Sequence, residues 1–102
     1  MTEENKIDFS VDKNNLYREE GFTDLKVASI RRLIPVALDG EVDKDRFPLF
    51  IGVTQLMTSE GPVPIQAALN ARTLAQAVDE FPAAMEKAMK EAIEDMKQRQ
   101  AG

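Results

Sequence analysis

The fold is decided by residues 63–96, VPIQAALNARTLAQAVDEFPAAMEKAMKEAIEDM, because the hydrophobic period changes within this stretch. Over 63–71, apolar side chains at the odd positions alternate with smaller or more polar ones, which is the pattern of a strand with one buried face. From Thr73 onward, apolar residues recur every three or four positions, as in an amphipathic helix. The stretch therefore predicts a strand followed by a long helix over about 73–100.

Three residues set the start and the shape of this helix. Thr73 is a good N-cap, and Gln76 three positions later completes a capping box. Pro82 lacks a backbone donor and disfavours helical backbone at the preceding residue. We therefore expect a break or kink at about 80–82. The apolar stripe of the helix consists of Leu74, Val78, Phe81, Met85, Met89, Ala92 and Met96.

Two more strands are predicted before this stretch, over about 25–38 and 47–58. The first is rich in β-friendly residues, and its Pro35 favours an edge position or a strand end. Asp39-Gly40 is the strongest turn signal in the chain and opens a polar loop. Short turns between these strands predict an antiparallel meander.

The strand over 47–58 has apolar residues at both odd and even positions, which point to opposite faces of the sheet. The pattern alone therefore does not say which face lies under the helix. Leu49, Ile51 and Val53 share one parity, which we assign to the face under the helix. The other parity, with Phe50 and Leu56, is then the uncovered face of the sheet. Gly52 lies on that second parity and indicates a bulge or a close approach by another segment.

The N-terminal part is more polar. Residues 1–15 are predicted to form a mobile segment, although the alternation over 7–12 is that of a short edge strand. Residues 16–24 fit neither a helical nor a strand period. Residues 16–102 then form one α+β domain: an antiparallel meander of three or four strands, and a long C-terminal helix, kinked at Pro82, packed on one sheet face.

Composition excludes several functions. The 102 residues include no Cys and no His and carry a net charge of −5. Disulfides, thiolate nucleophiles and the commonest general base are therefore absent, and we expect no cofactor and no metal. An acidic chain without a basic stripe disfavours nucleic acid and anionic membranes. Without a secretion signal or a membrane-spanning run, the cytoplasm is the expected compartment.

Two polar clusters could carry chemistry. Carboxylates of segment 17–24, together with Arg31 or Arg32, could serve a small enzyme, although a solvated charged segment is the simpler interpretation. Adjacent strand residues point to opposite faces, so only one of the two arginines lies on the helix side. The acidic loop at Asp39, Glu41, Asp43 and Asp45 has oxygen ligands of the kind Ca²⁺ uses, but it fits a solvated hairpin loop better.

The predicted architecture leaves apolar surface uncovered. One helix covers one sheet face, its end overhangs the strands, and the sheet edges stay open. A homodimer would cover these surfaces; a monomer in which segment 7–24 folds back over them is the alternative. The candidate residues for an interaction surface are Met85, Met89, Ile93, Met96, Phe50 and Leu56. The sequence thus favours a non-catalytic, self-associating interaction module, with a small enzyme or a chaperone-like peptide-binding module as alternatives.

Two strings carry a resemblance. Residues 17–36, YREEGFTDLKVASIRRLIPV, and 50–66, FIGVTQLMTSEGPVPIQ, resemble a small family of bacterial cytosolic proteins with no assigned function. Together with the C-terminal helix, the resemblance spans most of the chain. It implies a bacterial, cytoplasmic, stand-alone protein and assigns no activity, partner or site residue.

Overall fold

The computed structural model describes residues 7–101, with the backbone alone for residues 100 and 101. The chain forms a four-stranded antiparallel sheet whose strand order is the chain order, followed by one helix. The fold class predicted from the sequence is therefore confirmed, with four strands rather than three. The elements are β1 (Leu16–Thr23), β2 (Ser29–Val36), β3 (Leu49–Thr58), β4 (Gly61–Leu69) and α1 (Leu74–Ala101).

The core lies between α1 and one face of the sheet. The strand register aligns Ile30 with Gly52 and Phe50 with Leu69, so these residues share the covered face. From the helix, three residues at intervals of four point into this layer. The buried cluster consists of Ile30, Phe50, Ile65, Leu69, Ala77, Phe81 and Met85.

The helix approaches the sheet most closely at Gly52. A Cβ atom at this position would lie 3.0 Å from Cδ2 of Phe81, 3.1 Å from Cε of Met85 and 3.2 Å from Cδ2 of Leu69. The close approach that the sequence indicated is therefore confirmed. Gly52 leaves room for the Phe81 ring to rest on the backbone of the central strand.

The start of α1 follows the predicted capping pattern. The Gln76 amide donates to Oγ1 of Thr73 at 3.1 Å. In return, Oε1 of Gln76 accepts from the amide of Arg72 at 2.8 Å, one residue before the N-cap. The capping residues thus also fix the end of the short connection from β4.

The expectation of a break at 80–82 is wrong. The helix is continuous from Leu74 to Ala101 with Pro82 inside it, and the structure does not show the kink. Proline here removes one hydrogen bond, to the carbonyl of Val78. Val78 is about half exposed, so water can satisfy that carbonyl. On either side of the proline, Phe81 and Met85 are buried against the same sheet, which anchors the helix before and after Pro82.

Two assignments made from the sequence need correction. Residues 16–24, which fitted neither period, contain the edge strand β1, paired with β2 along its whole length. The faces of β3 are also reversed. Phe50 is only 2% exposed and Leu56 packs against the core, so both lie on the covered face and not on the uncovered one. The helix packs on this parity because Gly52 belongs to it.

The molecule is thin and spreads widely. Its extents are 52 × 47 × 22 Å and its radius of gyration is 17.6 Å, against about 13 Å for a compact domain of this length. Its accessible surface of 8089 Å² exceeds the roughly 5,800 Å² of a compact 11.4 kDa monomer by about 2,300 Å². The exposed residues 7–15, the end of α1 and one sheet face contribute to this excess.

Candidate interaction surface

The sheet face opposite α1, called the open face below, is largely apolar. Its central strand, β3, presents side chains of one parity there, of which Leu49 is 47% and Met57 72% exposed. The loop over 37–48 covers only the end near Tyr17, where the Arg46 guanidinium lies 5.2 Å from the ring centroid. The apolar residues of the open face are Leu33, Leu49, Ile51, Val53 and Met57, flanked by Pro62, Pro64 and Ala68.

Sequence reasoning missed the open face because it assigned β3 the wrong way round. A signal was present in the sequence. The alternation over 63–71 buries the odd positions, so it leaves Pro64 and Ala68 on the uncovered side of that strand, although neither side chain is hydrophilic. The strand register aligns Ala68 with Ile51, so the apolar side of β3 had to follow it.

The predicted helix residues fall into two groups. Met85 is buried in the core and is not part of a free surface. Met89, Ile93 and Met96 are half-buried along one flank of α1. The opposite flank, with Ala84 and Ala88, lines a shallow cleft against β4, and Met96 lies in a second cleft beside the β3–β4 turn, with Glu60 and Val63.

The charged residues of β1 and β2 are divided between the two faces. Arg32 lies on the helix side, where its Nε donates to the Glu20 carboxylate at 2.8 Å and its guanidinium lies 5.2 Å from the Phe22 centroid. Arg31 is exposed on the open face. Glu20 and Arg32, two residues of the hypothetical enzyme site, therefore form an ordinary cross-strand ion pair. Arg31 lies on the other face of the sheet, away from this pair.

The acidic loop is held by internal contacts. Asp43 pairs with Arg46 at 2.8 Å, and Arg46 also donates to the carbonyls of Leu16 and Val36. The Arg46 hydrogen bond and the Asp45 backbone amide lower the pKa of the Asp43 carboxyl. Asp39 accepts from the amide of Glu41 at 3.0 Å. Among residues 7–101, no three carboxylates come close enough to hold a metal ion.

The turn between β1 and β2 is built around one carboxylate. Asp24 Oδ1 accepts from the amides of Lys26, Val27 and Ala28 at 2.8, 2.9 and 3.0 Å. These hydrogen bonds lower the pKa of the Asp24 carboxyl, and the bond from the Ala28 amide has the largest effect. Leu25 adopts a left-handed backbone with φ of 60° and is 91% exposed beside an open cleft of about 380 Å³.

Stability at low pH is expected to depend on Asp24. Because its pKa is lowered by folding, the ionised carboxylate stabilises the turn above the pKa of the unfolded chain, and this contribution disappears as pH falls through the folded value. Asp24→Ala should therefore be less stable than the wild type at pH 7, and the difference should narrow below about pH 4. Urea denaturation at several pH values measures it.

A suitable control for Asp24→Ala is Asp45→Ala, which removes a carboxylate from the exposed loop over 37–48. Its effect on the denaturation midpoint should be small at every pH. The prediction concerns the difference in the free energy of unfolding between the wild type and Asp24→Ala. If this difference is the same at pH 7 and at pH 2, the ionised carboxylate is not its cause.

Comparisons with known proteins add no further constraint. The chain matches no protein-family model, no curated protein and no solved structure. Within the part of the chain that the structure describes, no helix has the length and apolar character needed to span a bilayer.

Proposed function

We propose that this protein is a non-catalytic interaction module that self-associates as a homodimer, with the open faces of two copies packed against each other. The observation that carries the proposal is the apolar line Leu49, Ile51 and Val53 along β3, on the sheet face away from the helix. A sheet normally buries its apolar faces against another layer. We place this module in the bacterial cytoplasm because of the resemblance noted above.

The surface available is large enough for a stable dimer. Interfaces of standard size bury about 800 Å² on each partner, which is about a third of the excess of about 2,300 Å² that the open face shares with residues 7–15 and the end of α1. Complete burial of one Leu, Ile, Val or Met side chain is worth roughly 1.5–3 kcal/mol relative to full exposure, and Leu49 and Met57, which are 47% and 72% exposed, gain more of this than the half-buried Ile51 and Val53. Several such residues in each copy can offset an association cost of about 4–15 kcal/mol.

Packing of two sheets face to face is also geometrically ordinary. Two such sheets pack about 10 Å apart and form a sandwich core from their inner faces. Glu19 lies on the edge strand β1, so in this two-chain interface its exposed carboxylate can remain at the polar rim, whereas Arg31 lies on β2 beside Ile51 and must reach solvent past its neighbours. The helices would then form the two outer layers of the dimer.

The absence of native cysteine allows the open face to be tested with a single introduced thiol. Val53→Cys places a small apolar thiol at the middle of this face. Glu86→Cys, on the exposed side of α1, is the matched control. Maleimide labelling of Val53→Cys is expected to slow at least about tenfold as chain concentration rises through the association range, because the dimer hides the thiol.

Labelling of Glu86→Cys should keep one rate at all concentrations. If Val53→Cys behaves like Glu86→Cys while the chain is dimeric, a surface other than the open face forms the dimer. A peptide-binding module would instead show protection of Val53→Cys only after a partner peptide is added.

A further inference from the structure

The two edges of the sheet differ in the backbone groups they offer. In an edge strand, alternate residues direct their N–H and C=O groups away from the sheet. Pro62 and Pro64 have no N–H, so in paired β4 they occupy outward positions. Only Gln66 and Ala68 then offer outward amides on β4, and this edge is poorly suited to pairing with another strand.

The other edge, β1, has no such protection. The carbonyl of Pro35 accepts from the amide of Asp43 at 2.9 Å, so the backbone groups of Pro35 face away from β1. Tyr17, opposite Pro35, is therefore not hydrogen-bonded to β2 at that pair and directs its own groups outward. By alternation Glu19, Gly21 and Thr23 do the same. The helix contacts β2, β3 and β4 but not β1.

We infer that β1 pairs antiparallel with β1 of a second copy, about a two-fold axis at Glu19. This register places Arg18 opposite Glu20 of the second copy, and the symmetry repeats the pair. Within one chain Glu20 already accepts from Arg32 and lies 3.9 Å from the Arg18 guanidinium, so the pairing extends an existing cluster of opposite charges across the strand edge. Apart from the two Glu19 carboxylates on the axis, the charges of β1 are complementary to the same strand running in the opposite direction.

The same register also covers Gly21, a position of β1 that has no side chain. It sets Tyr17 opposite Gly21 of the second copy, and no atom lies within 4 Å of where a Cβ of Gly21 would be. An aromatic ring packed over a strand glycine stabilises such a pair. The two Glu19 side chains face each other at a hydrogen-bonded pair, where strand separation is wider. Centring the axis on Glu20 instead would bring two carboxylates together at a closer, non-hydrogen-bonded pair.

Edge pairing through β1 is a second contact, separate from the proposed open-face dimer. The number of chains in the complete assembly rests on both contacts, and therefore on the proposed function. Edge pairing joins two sheets into one of eight strands, and the open faces pack two such sheets together. The result is a closed assembly of four chains with three perpendicular two-fold axes, in which Glu19 lies near the centre and no longer at the rim that it occupies in the two-chain interface. The edges that remain are those of β4, where Pro62 and Pro64 oppose further growth.

Amide hydrogen exchange on the full wild-type chain tests the pairing residue by residue. The amides of Tyr17, Glu19 and Gly21 should exchange at least about 100-fold more slowly than the outward amides of Gln66 and Ala68. Thr23 lies beyond the end of the proposed register, so its amide should exchange about as fast as that of Gln66. Protection of Thr23 together with the other three would contradict a two-fold axis at Glu19.

Two proline variants test the same pairing by solution mass. Glu19→Pro removes an outward amide of β1 without removing a hydrogen bond to β2, and should reduce four chains to two. Gln66→Pro makes the matching change on β4 and should leave four chains. Circular dichroism checks that both variants fold; if Glu19→Pro does not, the wild-type exchange rates decide.

The outcomes separate this inference from the proposed function. A wild type of two chains with fast exchange at Tyr17, Glu19 and Gly21 overturns edge pairing and leaves the open-face dimer standing. In a second outcome, the wild type has two chains, its amides at those positions exchange slowly, and Glu19→Pro is a monomer. This outcome supports edge pairing and overturns the open-face dimer. A wild type that stays a single chain overturns both.

Discussion

Phe81→Ala is expected to remove about 3–5 kcal/mol from the free energy of unfolding. The ring is buried between α1 and the sheet and fills the space above Gly52. Its loss leaves a cavity that the backbone of β3 cannot close, because β3 is paired on both sides. Since domains of this size are stable by only about 5–15 kcal/mol, the variant should lose much of its stability. Urea denaturation at fixed chain concentration measures the change.

Val78→Ala is the matched control for this substitution. It lies on the same helix, one turn before Pro82, but its side chain is 54% exposed. Its cost should be below about 1 kcal/mol, typical of a surface position. Equal costs for the two substitutions would mean that the helix is not anchored on the sheet through Phe81.

Gly52→Val is expected to cost about 1–3 kcal/mol, or more if the helix is displaced. A Cβ alone would lie 3.0–3.2 Å from side-chain atoms of Phe81, Met85 and Leu69, and valine adds two methyl groups beyond it. The end of Met85 can move, but the Phe81 ring is held by its neighbours in the core. The denaturation midpoint should fall, because the helix must move away from the sheet.

Gly21→Val provides the opposite case on the same sheet. No atom lies within 4 Å of its Cβ position, and valine favours strand backbone. At chain concentrations below the association range, where no Tyr17 of a second copy packs on this position, its stability should be equal to or slightly above that of the wild type. If both valine variants are equally stable, the close approach of α1 at Gly52 is not present in solution.

The change of period within 63–96 was enough to predict the last strand, the helix and the fold class. It works because β4 buries one parity only and α1 has one apolar stripe. For β3 the same reasoning gave the wrong face, since both of its parities are apolar and alternation alone cannot say which lies under the helix. Gly52 carried that information, because a residue without a side chain is needed where a helix approaches.

Other errors have comparably local causes. β1 has charged residues on both parities because it lies at an edge and the helix does not cover it, so its sequence shows no clear alternation. Pro82 stays helical because its neighbours Phe81 and Met85 are anchored on the sheet, a tertiary contact that local rules do not include. The expectations for residues 1–6 and for Gly102 lie outside the described residues, and the mobility expected of 7–15 stays a prediction.

The most direct test of the central claim is the mass of the unmodified full chain in solution, measured by light scattering across a range of concentrations. We expect twice the chain mass of 11.4 kDa or more at about 100 µM, a concentration at which even a micromolar complex is largely formed. A mass of 11.4 kDa throughout that range would contradict self-association. The apolar open face would then need another partner.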